Sequence, residues 1–358
     1  PSGKKTKMKT ILFTILVCIL SIQISKAQWQ PDVRLTNDPS YSSTSQNNAW
    51  CIAASGNVVH VVWKDNRDGN EEIYYKRSTD GGSSWGSDIR LTYNMYISED
   101  PSISVFGQAV HVVWVDNRDD LNWEIYYKSS TDAGISWGAD TRLTNNIAGS
   151  NYPSLSASSS VSHVVWIDLR DGNAEIYYKQ STDAGLNWGP DKRLTDNSAN
   201  SRNPSISVSG LDVHVVWYDF RDGNAEIYYK RSTDGGVSWG TDIQLTSNPA
   251  ESWSPSISVS GMDVHIVWSD FRDGNGDIYY KRSTNAGVSW GADIQLTSDT
   301  TESYYPSVSV SGLTLHVVWD DNGDGKEEIY YKRSTDGGSS WGEDTRLTNS
   351  IYISGLPS

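Results

Sequence analysis

From about residue 29 to residue 348 the chain is a succession of short runs in which apolar and polar positions alternate, separated by clusters of Gly, Asn, Asp and Ser. An alternation with period two, bounded by turn residues, is the pattern of half-buried β-strands joined as hairpins. One stretch shows the unit. P-S-I-S-V-S-G (Pro204 to Gly210) predicts a first strand ending in a turn glycine, and D-V-H-V-V-W (Asp212 to Trp217) a second. E-I-Y-Y-K-R-S (Glu226 to Ser232) follows a D-G-N turn, and D-I-Q-L-T (Asp242 to Thr246) follows S-T-D-G-G. The unit is therefore four antiparallel strands.

The same unit recurs. His60, His111, His163, His214, His265 and His316 sit in V-H-V-V-W or closely similar runs, spaced 51 or 52 residues apart. Trp85, Trp137, Trp188, Trp239, Trp290 and Trp341 repeat at the same interval. Four antiparallel strands repeated at fixed spacing predict an all-β propeller with six complete repeats. A β-solenoid would have shorter coils and less regular hairpin chemistry. R-L-T or Q-L-T, the outer-strand motif, occurs seven times, first at Arg34-Leu35-Thr36. The other strands occur six times. Thr348 to Ser358 aligns with Thr92 to Ser102, so residues 349–358 read as the start of a further repeat or as a frayed tail. This leaves two expectations: six blades with a spare strand, or a fragment of a seven-bladed ring.

Composition narrows the partners. The formal net charge is -15, which repels phosphate backbones and argues against nucleic acid. With 16 Trp and 20 Tyr against 4 Phe and 3 Met, the aromatic content suits pleated faces more than helices. Residues 1–27 read as upstream residues and a signal peptide. Lys4, Lys5, Lys7 and Lys9 precede the apolar run Ile11 to Leu20, and Ser25-Lys26-Ala27 offers a cleavage site. The run is too short for a membrane span, so a secreted or cell-surface protein without one is expected. Cleavage removes Cys18 and leaves Cys51 without a disulfide partner.

The turn S-T-D-G-G-V-S-W (Ser232 to Trp239) and its copies fit S-x-D-x-G-x-x-W, which resembles the Asp box of the bacterial neuraminidase repeat. That repeat is found in sialidases and in many non-enzymatic propellers, and its six copies here cover residues 28–348. Asp80, Asp132, Asp183, Asp234 and Asp336 can accept bonds from backbone amides in their own turns, and Asn285, the one departure, can do so too. The glycines permit positive φ and each box tryptophan pins a hairpin to its blade. This is architecture. The resemblance places the box on the face opposite the family's catalytic pocket.

Two sets of connectors remain for chemistry. The turn D-x-R-D-G-N-x-E (Asp65, Arg67, Asp68 and Glu72 in the first copy) is either a tight, self-paired turn or an arginine cluster for a substrate carboxylate. Asp320, Asn322, Asp324 and Glu328 resemble an oxygen-rich cation loop, a weak sign of calcium, but the rest of a calcium loop is missing; otherwise no cofactor or metal is expected. The inter-blade connectors vary. Glu99, Asp100, Tyr152, Arg202, Trp253, Tyr304 and Tyr305 are the candidate ligand-binding residues, because aromatic faces beside polar groups suit sugar rings. The alternative is that these aromatics only plug the ring. The histidines, mid-strand and far apart, read as packing positions.

The resemblance implies an arginine triad, a Tyr–Glu nucleophile pair and an Asp acid–base in a sialidase-type hydrolase. No R-I-P motif occurs here, and Arg202, Glu251 and Tyr304 are only weak candidates for such a centre. A secreted module that binds glycans or extracellular proteins, without catalysis and in several similar inter-blade clefts, is the preferred expectation. An exo-α-sialidase-type glycoside hydrolase is the alternative.

Overall fold

The computed structural model describes residues 29, 31–45, 50–119, 121–298, 300–323, 325–349 and 354–357. The signal-peptide reading and Cys18 lie outside these. The chain divides at Arg34/Leu35 into two compact units, and the second holds every strand. Among the described residues there is no helix, and none is therefore long and apolar enough to cross a membrane.

Six antiparallel four-stranded sheets stand in a ring, making a six-blade β-propeller. In the fourth blade the strands are Ser201–Ser209, Asp212–Asp219, Glu226–Ser232 and Ile243–Gln244, each paired with the next. The other blades repeat this order. In the first, the innermost strand is in two pieces, Ser42–Ser43 and Ile52–Ser55, both paired with Val58–Asp65. The outer strands carry only two residues each, shorter than the alternation suggests. Arg34-Leu35-Thr36 is not a strand at all. It has a role nonetheless, since Lys76 Nζ donates to the Leu35 carbonyl.

The blades are held to one another by a repeated wedge. In each of the first five blades the second tyrosine of the third strand is buried, and its ring meets the box tryptophan of the following blade edge-on. Tyr127 meets Trp188 at 5.0 Å and Tyr178 meets Trp239 at 4.9 Å. Such pairs add about 0.5–1.5 kcal/mol beyond the area they bury. The hydroxyl fills the space beneath a box glycine: a Cβ on Gly185 would lie 1.8 Å from the Tyr127 oxygen. The same hydroxyl pairs with the histidine of its own blade, 2.6 Å from His111 Nδ1 and 2.7 Å from His163 Nδ1 to Tyr178. The histidines are thus buried partners of the wedge.

A second repeated device closes each blade end. Asp219 accepts from Trp217 Nε1 at 3.0 Å, Ser201 Oγ at 2.8 Å and the Arg221 amide at 2.9 Å. Arg221 also ion-pairs with Asp219 at 2.6 Å and Asp242 at 2.7 Å, and lies over the Tyr228 ring at 4.3 Å. Arg67, Arg118, Arg170 and Arg272 are held in the same way by Asp65, Asp116, Asp168 and Asp270. Burial would raise the Asp65 carboxyl, but the hydrogen bonds it accepts from Arg67, Ser42 and Trp63 outweigh that and hold it down at about 2. In the sixth blade Gly323 replaces the arginine, and its amide donates to Asp321 at 2.8 Å.

Burial depresses His60, His111, His163, His214 and His265 to about 4. As pH falls below about 6.5 the unfolded chain therefore takes up protons that the folded chain refuses. Stability is full above that pH and is lost as pH falls toward 4. Urea titrations from pH 7 to pH 4.5 should show a falling midpoint, and His163→Gln should remove about one proton's share of that slope. Gly185→Ala, with no space for its methyl and φ +87, should cost roughly 2–4 kcal/mol in the same assay.

Candidate functional site: the bulged mouth of the ring

In each of blades two to six the innermost strand begins with a serine paired to the aspartate that ends the second strand, as Ser201 pairs with Asp219. The third strand starts beside the same aspartate, Asp219 facing Glu226. The starts of the innermost strands and the second-to-third turns therefore share one face. The Asp boxes leave the far ends of the third strands and lie on the other.

Two residues after the opening serine the register slips, between Glu99 and Ser102, Asn151 and Ser154, Arg202 and Ser205, Trp253 and Ser256, and Tyr304 and Ser307. Each slip holds one non-glycine residue at positive φ: Asp100 (49°), Tyr152 (55°), Asn203 (48°), Ser254 (52°) and Tyr305 (50°). A bulge turns side chains away from the regular pleat, and left-handed backbone of this kind is costly for any residue with a Cβ. Five bulges at one edge carry five different residue pairs on an otherwise repeated scaffold.

Glu99, Asp100, Tyr152, Arg202, Trp253, Tyr304 and Tyr305, expected on inter-blade loops, are therefore strand residues. The expectation failed because the extra residue breaks the alternation just before each Pro-Ser, so the strand seemed to start at the proline. The bulge pairs also differ from blade to blade, so the near-identical clefts on which multivalent binding depended are not formed at this face.

Facing each bulge is the variable residue x of V-V-W-x-D: Val115 opposite Glu99, Ile167 opposite Asn151, Tyr218 opposite Arg202, Ser269 opposite Trp253 and Asp320 opposite Tyr304. Lys64 holds this place in the first blade. Sequence reasoning missed Lys64 and Tyr218. The signal was present, since x is the one position in that run whose chemistry changes in every repeat.

An aromatic arc follows. Tyr218 stacks with Trp253 at 6.5 Å, Trp253 meets Phe271 at 5.5 Å, Phe271 lies 5.9 Å from Tyr304, and Tyr304 is 6.2 Å from Tyr305. Trp253 and Tyr305 remain 39% and 38% exposed, enough to offer a ring face. The charged part lies on blades one and two. Lys64 Nζ reaches Glu99 at 2.8 Å and Glu71 at 3.3 Å. Burial alone would lower this lysine, but the Glu99 bond and the charges of Glu99, Glu71 and Asp100 hold its ammonium above the usual value.

Tyr152 joins the two parts. Burial first, then the nearby charges of Asp100 and Glu99, raise its phenol, while Arg202 and Lys64 oppose them. Tyr218 is raised by burial and feels Arg202, Tyr152, Tyr305 and Glu251. Arg202 and Glu251 thus both act on the Tyr218 phenol. The Tyr304 ring lies against Gly276, where a Cβ would come within 2.6 Å. Burial, then its hydrogen bond to Glu302, pushes it up to about 12, so its hydroxyl stays protonated.

The calcium donors separate too. Asp320 accepts from the Leu356 amide at 2.8 Å, and Glu328 is taken by Arg346 at 2.8 Å. Asp324 lies outside the described residues. Among the described residues no three His, Cys, Asp or Glu side chains are grouped to hold an ion. Cys51 is a buried thiol that donates to the Pro101 carbonyl at 3.2 Å and accepts from the Ser45 amide at 3.3 Å.

The box residues stay local. Asp80 accepts from Ser78 Oγ at 2.7 Å and from Ser84 N and Oγ at 2.8 and 2.6 Å, and Asn285 accepts from the Ser289 amide at 2.9 Å. Two clefts of about 400 and 420 Å³ open on the rim of the fourth blade, lined by Arg231 and Trp239 and by Asp222 and Gln244. The first lies at the Asp-box end of the blade and the second beside its second-to-third turn, on the face that carries the bulges. The second is the chemically weaker candidate because it offers carboxylates and amides with no aromatic face.

The sequence matches the model of a BNR repeat-like domain over residues 14–317. The chain belongs to that family. No curated protein matches it in sequence. Solved structures share the fold of this BNR-repeat propeller. A Hadza microbial sialidase superposes with a TM-score of 0.52 at 16% identity, over 75% of this chain and 62% of the sialidase, so the chain spans under two thirds of that enzyme. An α-L-arabinofuranosidase of Fusarium graminearum gives 0.55 at 17% identity, over 82% of this chain and 98% of that one. An ulvan lyase, a polysaccharide lyase, gives 0.60 at 12% identity, over 85% and 83%. At these identities the likeness establishes a sialidase-like fold.

At the mouth, Asn203→Gly should leave thermal stability within about 0.5 kcal/mol. Asn203→Val, a β-branched residue at φ 48°, should lower it by roughly 1–2 kcal/mol, as read by denaturant titration.

Proposed function

We propose that this propeller recognises glycans at its bulged mouth, as an exported, non-catalytic binding module. The observation that carries this reading is the aromatic arc of the exposed Trp253 and Tyr305 with the half-buried Tyr304, on the face that also carries Arg202 and the Lys64–Glu99 pair. Sugar C–H faces stack on such rings, while carboxylates, amides and a guanidinium take hydroxyls and acidic groups. The fold neighbours named above act on sialosides, arabinosides and an acidic polysaccharide, which supports a glycan as ligand. Extracellular proteins are the second partner class for the same surface.

A hydrolase reading has less support. Five of the turn arginines are locked by two carboxylates each. That leaves Arg202 as the exposed arginine of the mouth, where an arginine triad is wanted.

A glycan array followed by calorimetry on the best hit tests the proposal. Binding should fall tenfold or more in Trp253→Ala and Tyr305→Ala, with stoichiometry near one per chain and unchanged Tm. No glycan bound, or turnover of a fluorogenic sialoside that disappears in Arg202→Ala with Tyr304→Ala, would overturn it.

A further inference from the structure

The six blades do not make six equivalent contacts. Five hydrophobic clusters each span two successive blades, from Val62 and Val112 in blades one and two to Val267 and Val317 in blades five and six. Among the described residues no such cluster joins the sixth blade to the first. The two faces that meet there are correspondingly open. His316 is exposed, whereas its five counterparts are at most 1% accessible. Val318 and Ile329 are half-buried where Val267 and Ile278 are fully buried, and Ser309 is exposed where Ser258 is buried.

The first blade shows the complementary defect. In blades two to six a Cβ on the second box glycine would lie within about 2 Å of the preceding blade's tyrosine hydroxyl, at Gly134, Gly185, Gly236, Gly287 and Gly338. At Gly82, its counterpart, the nearest atom is 3.8 Å away and belongs to Trp85 of the same turn. Among the described residues no tyrosine is wedged beneath the first box.

Fragments of a further unit already stand in the seam. In blades two to six a lysine of the third strand holds the leucine carbonyl of the preceding blade's outer motif, as Lys128 holds Leu91 and Lys332 holds Leu296. Lys76 holds Leu35 instead of Leu347. Beside the sixth blade, the Ser354 amide donates to Glu327 O at 3.0 Å, as Ser252 does to Ala225 O at 2.8 Å. Leu356 has φ 59°, the bulge conformation of Asp100 and Tyr305. Its carbonyl accepts from Thr44 Oγ1 of the first blade at 2.8 Å. An outer-strand leucine and the bulge of an innermost strand are in place. The second and third strands and the box between them are what these two faces lack.

We propose that the seam between the sixth and first blades is a docking site for one further Asp-box repeat, which completes a seventh blade. The five existing interfaces specify the occupant. Toward the sixth blade it presents a box tryptophan and a small residue above Tyr331. Toward the first it presents a buried tyrosine under Gly82. Its second and third strands run between the Leu356 bulge and the Leu35 strand position.

The test appends a copy of residues 103–140 after Ser358, which supplies those two strands and the box in register. Hydrogen exchange of residues 314–321 and 328–334 should slow at least tenfold relative to the unextended chain. The apparent Tm should rise by several degrees, with the protein monomeric by light scattering. Gly134→Val made in the appended copy should abolish the protection while blades two to five stay protected. If the appended chain folds, with blades two to five protected, yet leaves the seam exchanging as before, the proposal is wrong. It is equally wrong if the unextended chain protects the same strands in a concentration-dependent way, because the occupant is then a second copy.

Discussion

The fit of one tyrosine hydroxyl beneath one glycine organises the molecule. At Tyr75, Tyr127, Tyr178, Tyr229 and Tyr280 the phenol is paired with a histidine of its own blade, and its ring meets the next blade's tryptophan. Every component needs the others. The histidine must be neutral to sit in a buried strand, the phenol must be protonated, and the glycine must lack a Cβ for the oxygen to approach. Because the contact crosses from blade to blade, stability passes around the ring through nearest neighbours, as in other repeat architectures.

Once the wedge and the Trp–Asp–Arg closure fix each blade, the positions they do not use are free to differ. Those positions are the bulge pair and the residue facing it. The scaffold tolerates positive φ at Asp100, Tyr152, Asn203, Ser254 and Tyr305 because ladder bonds and packed serines flank each bulge. A symmetric ring thereby displays an asymmetric mouth, with carboxylates and an ammonium at one side and an aromatic arc at the other. The same wedge, present five times and missing its partners once, marks the seam as different from every other interface.

The strand content, the number of repeats and the local role of the Asp boxes were legible from the sequence. Each is a short-range property: alternation, turn chemistry and spacing are written within a single repeat. The assignment of the histidines to packing followed from the same spacing. The two-residue outer strands were not legible, because a run such as Asp242 to Thr246 keeps its alternation whether or not a partner strand continues beside it.

What only the tertiary structure decided is which variable residues meet. Glu99, Arg202 and Trp253 looked like loop residues because a bulge erases period two, and only the register against the second strand shows them turned to one edge. Lys64 and Tyr218 fell between the strand run and the turn motif that follows it, and only the packing of one blade on the next brings Lys64 to Glu99 and Tyr218 to Trp253. A repeat sequence determines its own unit through neighbours a few residues away. The chemistry of the mouth depends on groups such as Lys64 and Glu99, 35 residues apart in sequence, whose meeting is set by how the units pack.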